Sequence, residues 1–395
     1  MAERALEGLR VLEFDKAGET QFAGKILADM GADVIKVEPI GGVAARRVPP
    51  FFRDVEDANA SLYFWHYNTS KRSIEVNLAD AADANLVALL LEHTDVILDG
   101  VGLQGQIPGF SESWQEKYPR LLYCRVTPFG NDGPWAGFLS SDIIQLAGGV
   151  SAECGYEAPG TPPISPSGGQ ANHLAGLMSA IGVMAGLCYR DRAGIGQEID
   201  VAAHDVVAVS TEMGIPFWEF QHVNVVRQGG RHARPEVSAP WMHLCADGKY
   251  FCALPLYLDD RRFAAMSEWF ESEGMSDDLM EPEYRDGSYR NPRMDHIIDV
   301  IRRFCLQHES GYLFYESQKR RLPWAPVNSP DELCQDPHLS EDRGVFEEVA
   351  HEELNRHFLY PGAPYKLSGT PWEITRRPPL LGEHNQEVWG ETLTD

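Results

Sequence analysis

The first half of the chain alternates short apolar runs, typical of buried strands, with segments of helical periodicity. The apolar runs are "LRVLEF", "ADVIKVE", "TDVILDG" and "RLLYCRVT", and the helical segments include "FAGKILADMG" and "DAADANLVALLLEH". Strands that are separated by helices form βαβ units, and such units pair their strands in parallel. The pattern therefore predicts a doubly wound α/β domain.

The second half contains a break that predicts a smaller domain. An apolar helix expected at 173–189 and a further apolar run precede "RQGGRHARPEVSAP", where turn residues and charges replace the periodic pattern. Beyond it, "WMHLCADGKYFCALPL" is typical of two strands joined by an Asp-Gly turn. We expect a large domain over 1–225, a smaller α+β domain over 226–335, and a C-terminal segment over 336–395 that returns to the large domain.

Charge and cysteine content exclude several classes of protein. Of the 395 residues, 59 are acidic and 34 are basic, so the formal net charge is −25. This argues against a general affinity for nucleic acid or anionic membranes, both of which need a basic face. Seven cysteines without a CxxC pair do not indicate a disulfide framework. With neither a signal peptide nor an apolar run of about 18 residues, a cytoplasmic protein is expected.

Two short motifs resemble ligand sites but lack a required part. "GVGLQG" at 100–105 has the glycine spacing of a dinucleotide loop, but Pro108 follows too soon for the helix that such a loop needs. We expect a plain loop there. "HEELNRH" at 351–357 carries Asn355 where the zinc motif HExxH requires histidine. It predicts a solvated helix face, and no metal site is expected.

Several longer blocks together resemble one known family. They are "LEGLRVLEF", "AGKILADMGADVIKVEPIGG", "SLYFWHYNTSKRSIEVNL", "RLLYCRVTPFGNDGPWAGFLSSDIIQLAGGVSAECG", "CYRDRAGIGQEIDVAAHD" and the tail "APVNSPDELCQDPHL" with "PLLGEHNQEV". In this order they resemble the family III coenzyme A (CoA) transferases, which include formyl-CoA and carnitine CoA-transferases and have α-methylacyl-CoA racemases as relatives. The resemblance implies a Rossmann-like large domain, a smaller domain and two chains interlocked as rings in a dimer.

The resemblance also implies a nucleophile that this chain lacks. Family members attack the acyl-CoA thioester with an aspartate, which forms a mixed anhydride and then an enzyme-bound CoA thioester. That aspartate lies just before the helix that contains "GLMSAIGVMAGL", and the matching residue here is Asn172. An amide is a far poorer nucleophile and cannot form the anhydride. We favour a structural role for Asn172, as cap of a helix that starts at His173.

A second carboxylate and the racemase branch give the alternatives. Asp142 matches the position of an active-site glutamate in formyl-CoA transferase, so it is the candidate substitute nucleophile, although a solvated loop charge is an equal interpretation. The racemases exchange an α-proton between a histidine and an aspartate. Their histidine motif corresponds to "SSDII" at 140–144, and their aspartate again falls on Asn172. Racemase is therefore the weaker hypothesis.

The expected CoA contacts are altered as well. The resemblance implies contacts from six residues: Ala17, Gly18, Val76, Leu78, Gly100 and Val101. However, the family loop Glu-Asn-Phe-Arg-Pro-Gly is replaced by "DGVGLQG", its Ala-Gly-Pro turn by "GETQ", and the glycine loop of the small domain by "RHARPEVSAP". Three altered sites suggest an active site that has decayed.

The sequence thus favours the non-catalytic subunit of a heteromeric family III CoA-transferase. Its expected partner is a homologous subunit that carries the aspartate, as in succinyl-CoA:(R)-benzylsuccinate CoA-transferase, and otherwise a second copy in a homodimer. The substrates would be an acyl-CoA, such as succinyl-CoA, and a carboxylic acid, with no permanently bound cofactor. The alternatives are a self-sufficient transferase that uses another carboxylate and a non-enzymatic CoA-binding or interaction protein.

Overall fold

A computed structural model describes residues 4–16, 18–149, 165–210, 214–228, 231–234, 240–253 and 259–394. These residues form two compact units. The first contains the described residues up to 149 together with 166–210 and 340–394, and the second contains residue 165 and 214–339. Residues 214–225 thus group with the second unit, ahead of the expected boundary at 226. The assignment of 1–225, 226–335 and 336–395 as functional domains stays a prediction.

The first unit is built on a six-stranded parallel sheet. Its strands are β1 (Arg10–Phe14), β2 (Asp33–Pro39), β3 (Arg72–Val76), β4 (Val96–Asp99), β5 (Leu122–Thr127) and β6 (Glu198–Ala202). Their order is β3-β2-β1-β4-β5-β6, and every neighbouring pair is parallel. The predicted doubly wound α/β fold is confirmed. The order reverses between β1 and β4, which is where such sheets open a cleft at the carboxyl ends of their strands.

Helices cover both faces of this sheet. They are α1 (Gln21–Asp29), α2 (Leu62–Tyr67), α3 (Ala81–Leu91), α4 (Trp114–Lys117), α5 (Asp142–Gly149), α6 (Gln170–Ala193) and α7 (Ala203–Val209). Alternate strand residues supply the two cores: Val11 and Val34 join one apolar cluster with α1 and α6, whereas Leu12 and Ile35 join another with α3.

The second unit has its own elements and its own core. They are α8 (Gly214–Gln221), β7 (Val226–Gln228), β8 (Arg231–Arg234), β9 (Met242–Leu244), β10 (Tyr250–Cys252), α9 (Asp260–Ser272), α10 (Gly287–Arg290), α11 (Met294–Gln307), α12 (Ser310–Lys319), β11 (Ala325–Pro326) and α13 (Pro330–Gln335). The strands β9 and β10 pair antiparallel around an Asp-Gly turn, as predicted. An aromatic cluster that includes Trp269, Phe270 and Phe304 fills the core.

The C-terminal segment adds a hairpin and a helix to the first unit. Its elements are β12 (Phe346–His351), β13 (Arg356–Pro361) and α14 (Asn385–Thr394). Elsewhere in the two units, single 3-10 turns cover Ala44–Arg47, Phe52–Asp54, Pro282–Arg285, Asn291–Arg293 and Glu352–Leu354, and a π-helical turn covers His338–Asp342.

The prediction that "HEELNRH" forms a solvated helix face is wrong. The backbone of Asn355 is in the left-handed conformation, with a φ of 51°, and the chain turns there between β12 and β13.

Helix α6 begins earlier and ends later than the predicted 173–189. Gly169, with a φ of 68°, precedes its first residue, so Asn172 lies inside the first turn and is not the cap that we expected. The helix is long and apolar enough to cross a membrane. It packs against α1, α7, β5 and β6 of the sheet unit, however, which is the position of a core helix in a globular protein.

Buried charges connect the first three strands. Glu13 of β1 binds Lys36 of β2 and, at 2.6 Å, Lys71 just before β3, and all three side chains are fully buried. Burial alone would raise the pKa of Glu13, but the two ammonium groups outweigh it and hold this pKa below its usual value. The carboxylate is therefore ionised and compensates two positive charges.

Replacing the Glu13 carboxylate tests how much it contributes to the stability of the fold. Glu13→Gln keeps the shape but removes the carboxylate that pairs with both buried ammonium groups and leaves only the more distant Asp15, 3.8 Å from Lys36 Nζ, so we expect a loss of about 3–5 kcal/mol in the free energy of unfolding. Urea denaturation followed by circular dichroism measures the change. The control is Glu112→Gln at an exposed position. Equal midpoints for the two variants would contradict the role of the buried cluster.

Candidate functional site

A cleft of about 790 Å³ lies at the carboxyl ends of β1, β2 and β3. Three of the predicted CoA contacts line it, namely Val76, Leu78 and Val101. Other parts of its wall come from Phe14 and Asp15 at the end of β1. The lining is mostly apolar, which suits the flat or chain-like parts of an organic ligand. The fold thus brings predicted residues from two separate segments, at the end of β3 and after β4, to one cleft.

The remaining predicted contacts lie elsewhere. Gly100 packs against the turn after β1: a Cβ built on it would be 3.4 Å from the carbonyl oxygen of Phe14 and 3.5 Å from the Thr20 methyl group. Gly18 is close to Asn172 and is not part of the cleft wall. Ala17 lies outside the described residues. A direct role of these three in CoA binding stays a prediction.

The backbone N–H groups of the glycine loop after β4 already bind a side chain of this chain. The buried carboxylate of Asp99 accepts hydrogen bonds from the backbone N–H groups of Val101 and Gly102, both at 2.8 Å, and from that of Leu103 at 2.9 Å. These are the amide groups that a dinucleotide loop would offer to a pyrophosphate. Because an internal anion already binds them, the loop is not arranged for a nicotinamide cofactor, and the interpretation as a plain loop is the better one.

The two candidate nucleophile positions meet at the N-terminus of α6. The backbone N–H of Ala171 donates to Asp142 Oδ1 at 2.7 Å, so the carboxylate lies against the first turn of the helix, one residue before Asn172. The hydrogen bond satisfies one of the backbone N–H groups that have no partner within the helix at its first turn. Asp142 is thus held in place by the helix rather than being a solvated loop charge. Whether either side chain has a catalytic role stays a prediction.

Several aromatic side chains that the sequence analysis did not predict lie around the N-terminus of α6. His173 stacks on Phe22, with ring centroids 3.8 Å apart, and its Nδ1 is 3.4 Å from the Tyr67 hydroxyl. Burial lowers the pKa of His173, so its ring is neutral at pH 7. The tyrosine-rich block "SLYFWHY" forms α2 and was the available signal for this group.

Tyr63 of α2 also reaches the site. A Cβ built on Gly18 would lie only 2.9 Å from its hydroxyl oxygen and 3.3 Å from Asn172 Nδ2. Gly18 has a φ of 105°, and its N–H donates to Asp15 Oδ1 at 3.0 Å. Burial and then the negative neighbours raise the pKa of Tyr63, so the hydroxyl keeps its proton. Only glycine fits this close approach.

Comparison with known proteins agrees with this geometry. The profile described as CoA-transferase family III matches residues 6–385. The chain belongs to this family. It is 30% identical to succinate–glutarate CoA-transferase of Agrobacterium fabrum, over 98% of the chain and 96% of that enzyme. It is 29% identical to succinyl-CoA:(R)-benzylsuccinate CoA-transferase subunit BbsE of Thauera aromatica, over 95% of the chain and 91% of that subunit.

Solved structures give the same result. The crystal structure of a CAIB/BAIF family protein from Brucella suis superposes with a TM-score of 0.83 at 26% identity, covering 98% of this chain and 99% of that one. The predicted family and enzyme class, a CoA-transferase that uses CoA thioesters as substrates, are confirmed. Within the described part of the chain, no three histidine, cysteine or acidic side chains are grouped as metal ligands.

The contact between Asp142 and α6 can be tested through stability. Asp142→Ala removes the acceptor for the Ala171 N–H, and we expect a loss of about 1 kcal/mol in the free energy of unfolding. Asp142→Asn retains an acceptor oxygen and should lose less. Thermal and urea unfolding of both variants beside the wild type measure the difference. If the alanine variant were as stable as the wild type, the contact would not stabilise the helix.

Proposed function

We propose that this chain is the non-catalytic subunit of a heteromeric family III CoA-transferase. The supporting observation is the amide of Asn172 in the first turn of α6, where the resemblance implies the aspartate nucleophile of the family. A carboxylate oxygen can attack a thioester carbonyl and expel CoA, and the resulting anhydride can take CoA back. A neutral amide offers neither the charge nor a stable acylated product. The chain therefore depends on a second subunit for chemistry.

The partner that fits is a homologous chain with an aspartate at this position. The name of BbsE describes it as a subunit, which supports a heteromer for this chain too. Large apolar side chains are exposed along α5 and α6, among them Ile143, Ile144 and Ile181, which are 60%, 49% and 53% exposed. Exposed apolar surface of this kind indicates a protein interface. The interlocked dimer of the family would cover it.

The substrates follow from the relatives. The names of the relatives from A. fabrum and T. aromatica pair succinate or succinyl-CoA with a second acid. We infer that the complex moves CoA from a donor such as succinyl-CoA to a carboxylic acid in the cytoplasm. No permanently bound cofactor is needed, because the carboxylate and the CoA thiol carry the whole exchange.

Asp142 supports a second candidate, a self-sufficient transferase. Its carboxylate accepts a hydrogen bond from the backbone N–H of Ala171, the residue before Asn172. However, the hydrogen bond from the Ala171 N–H holds this carboxylate against the helix backbone, where it satisfies a donor of the first turn. We therefore favour the heteromer. A non-enzymatic CoA-binding or interaction protein is the third alternative.

Trapping and co-expression distinguish these functions. Incubated alone with succinyl-CoA, the chain should transfer no CoA to a panel of carboxylic acids and should show no covalent adduct by intact mass spectrometry. Co-expressed with a homologous chain that has the aspartate, it should form an active complex. Activity should survive Asn172→Ala here and disappear when the partner's aspartate is replaced by asparagine.

The matched control is Asp142→Asn in the chain alone. An adduct or turnover in the wild-type chain that disappears in Asp142→Asn would contradict the proposal and establish Asp142 as the nucleophile. A complex that loses all activity with Asn172→Ala, while remaining assembled on size-exclusion chromatography, would likewise count against a non-catalytic subunit.

A further inference from the structure

Donor groups converge where the turn after β1 approaches α6. The Cβ that Gly18 lacks would lie 2.9 Å from the Tyr63 hydroxyl and 3.2 Å from Gln21 Nε2. Asn172 Nδ2 is 3.3 Å from the same point. The residues come from a turn and three helices, so no local sequence pattern shows their proximity. A side chain at position 18 would collide with these groups, so glycine is what allows the turn to approach them.

The amide of Gln21 is oriented by the buried charges. Lys71 Nζ can only donate, and it donates to Asn68 Oδ1 at 2.9 Å. Asn68 must therefore present its NH₂ group to Gln21, and it donates to Gln21 Oε1 at 2.8 Å. This contact leaves the Nε2 of Gln21 on the opposite side, towards Gly18.

This orientation places an unsatisfied donor in the corner. Gln21 is fully buried, and its Nε2 has no hydrogen-bond acceptor among the residues that the structure describes. A buried donor without an acceptor costs stability, and native proteins seldom retain one without a function. The Tyr63 hydroxyl is a second donor beside it, and it stays protonated because burial raises its pKa.

The surrounding charges select the kind of oxygen that fits. The negative side chains that influence Tyr63 are Asp15, Glu19 and Asp142. Three carboxylates would repel an anionic ligand oxygen, whereas they do not repel a neutral carbonyl oxygen. Asp15 also lines the cleft at the carboxyl ends of the strands. The turn after β1 therefore starts at the cleft and leads to the donors of Gln21 and Tyr63.

We propose that Gln21 Nε2 and the Tyr63 hydroxyl bind the carbonyl oxygen of an acyl thioester. This inference rests on the proposed function only in that the ligand is an acyl-CoA. It makes the decayed site a thioester-binding site, even though Asn172 cannot attack the bound carbonyl. The chain would therefore distinguish acyl-CoA from ligands without that oxygen.

A matched pair of ligands tests this directly. Acetyl-CoA and S-ethyl-CoA differ only in the carbonyl oxygen, which the thioether replaces with hydrogens. Isothermal titration calorimetry on the full chain should give an affinity for acetyl-CoA about tenfold higher, the effect of two modest hydrogen bonds. Tyr63→Phe should reduce this preference to about threefold and leave the affinity for S-ethyl-CoA unchanged.

Further variants separate binding from folding. Gln21→Met removes the amide donor at similar volume and should also lower the preference for acetyl-CoA, while Tyr315→Phe, at an exposed position of the second unit, should not. Equal affinity of the wild type for both ligands, or no binding of either, would overturn this inference. Neither result would alter the proposed function, which the co-expression assay decides. Conversely, turnover by the chain alone would refute that function and leave the carbonyl preference intact.

Discussion

The ion pairs between Glu13, Lys36 and Lys71 fix the centre of the sheet unit. A carboxylate between two ammonium groups is tolerable in a dry interior only when all three remain paired, so β1, β2 and the start of β3 are held in one arrangement. The same lysine at 71 accounts for the position of α1, because it also donates to the backbone carbonyl of Gln21. The charges therefore determine where the turn after β1 can run.

The site follows from that turn and from the N-terminus of α6. Helix α6 begins after a left-handed glycine, and the carboxylate of Asp142 satisfies the Ala171 N–H in its first turn. In this arrangement the Ala171 N–H has a side-chain acceptor, and Asn172 follows it in the same turn. Asn172 brings a neutral amide to that turn. Under the proposed function, the reacting carboxylate is therefore supplied by a second subunit.

A non-catalytic subunit can retain parts of its ancestral site for binding. The cleft at the strand ends is apolar and open, and the buried donor of Gln21 is not satisfied by the described residues. Selection for stability alone would tend to remove such a donor, since an unpaired buried amide is costly. Its persistence beside Tyr63 is consistent with a ligand that completes the hydrogen bonds.

Sequence periodicity alone determined the parallel α/β sheet, because alternating apolar strands and helices allow little else. The matching blocks also identified the family. Tertiary structure decided the rest. Sequence spacing misplaced the start of α6, since the helix cap depends on a glycine conformation and on Asp142 from another helix. It missed Gln21 and Tyr63, because the direction of an amide is set by a chain of hydrogen bonds between distant residues, and only packing brings those residues together.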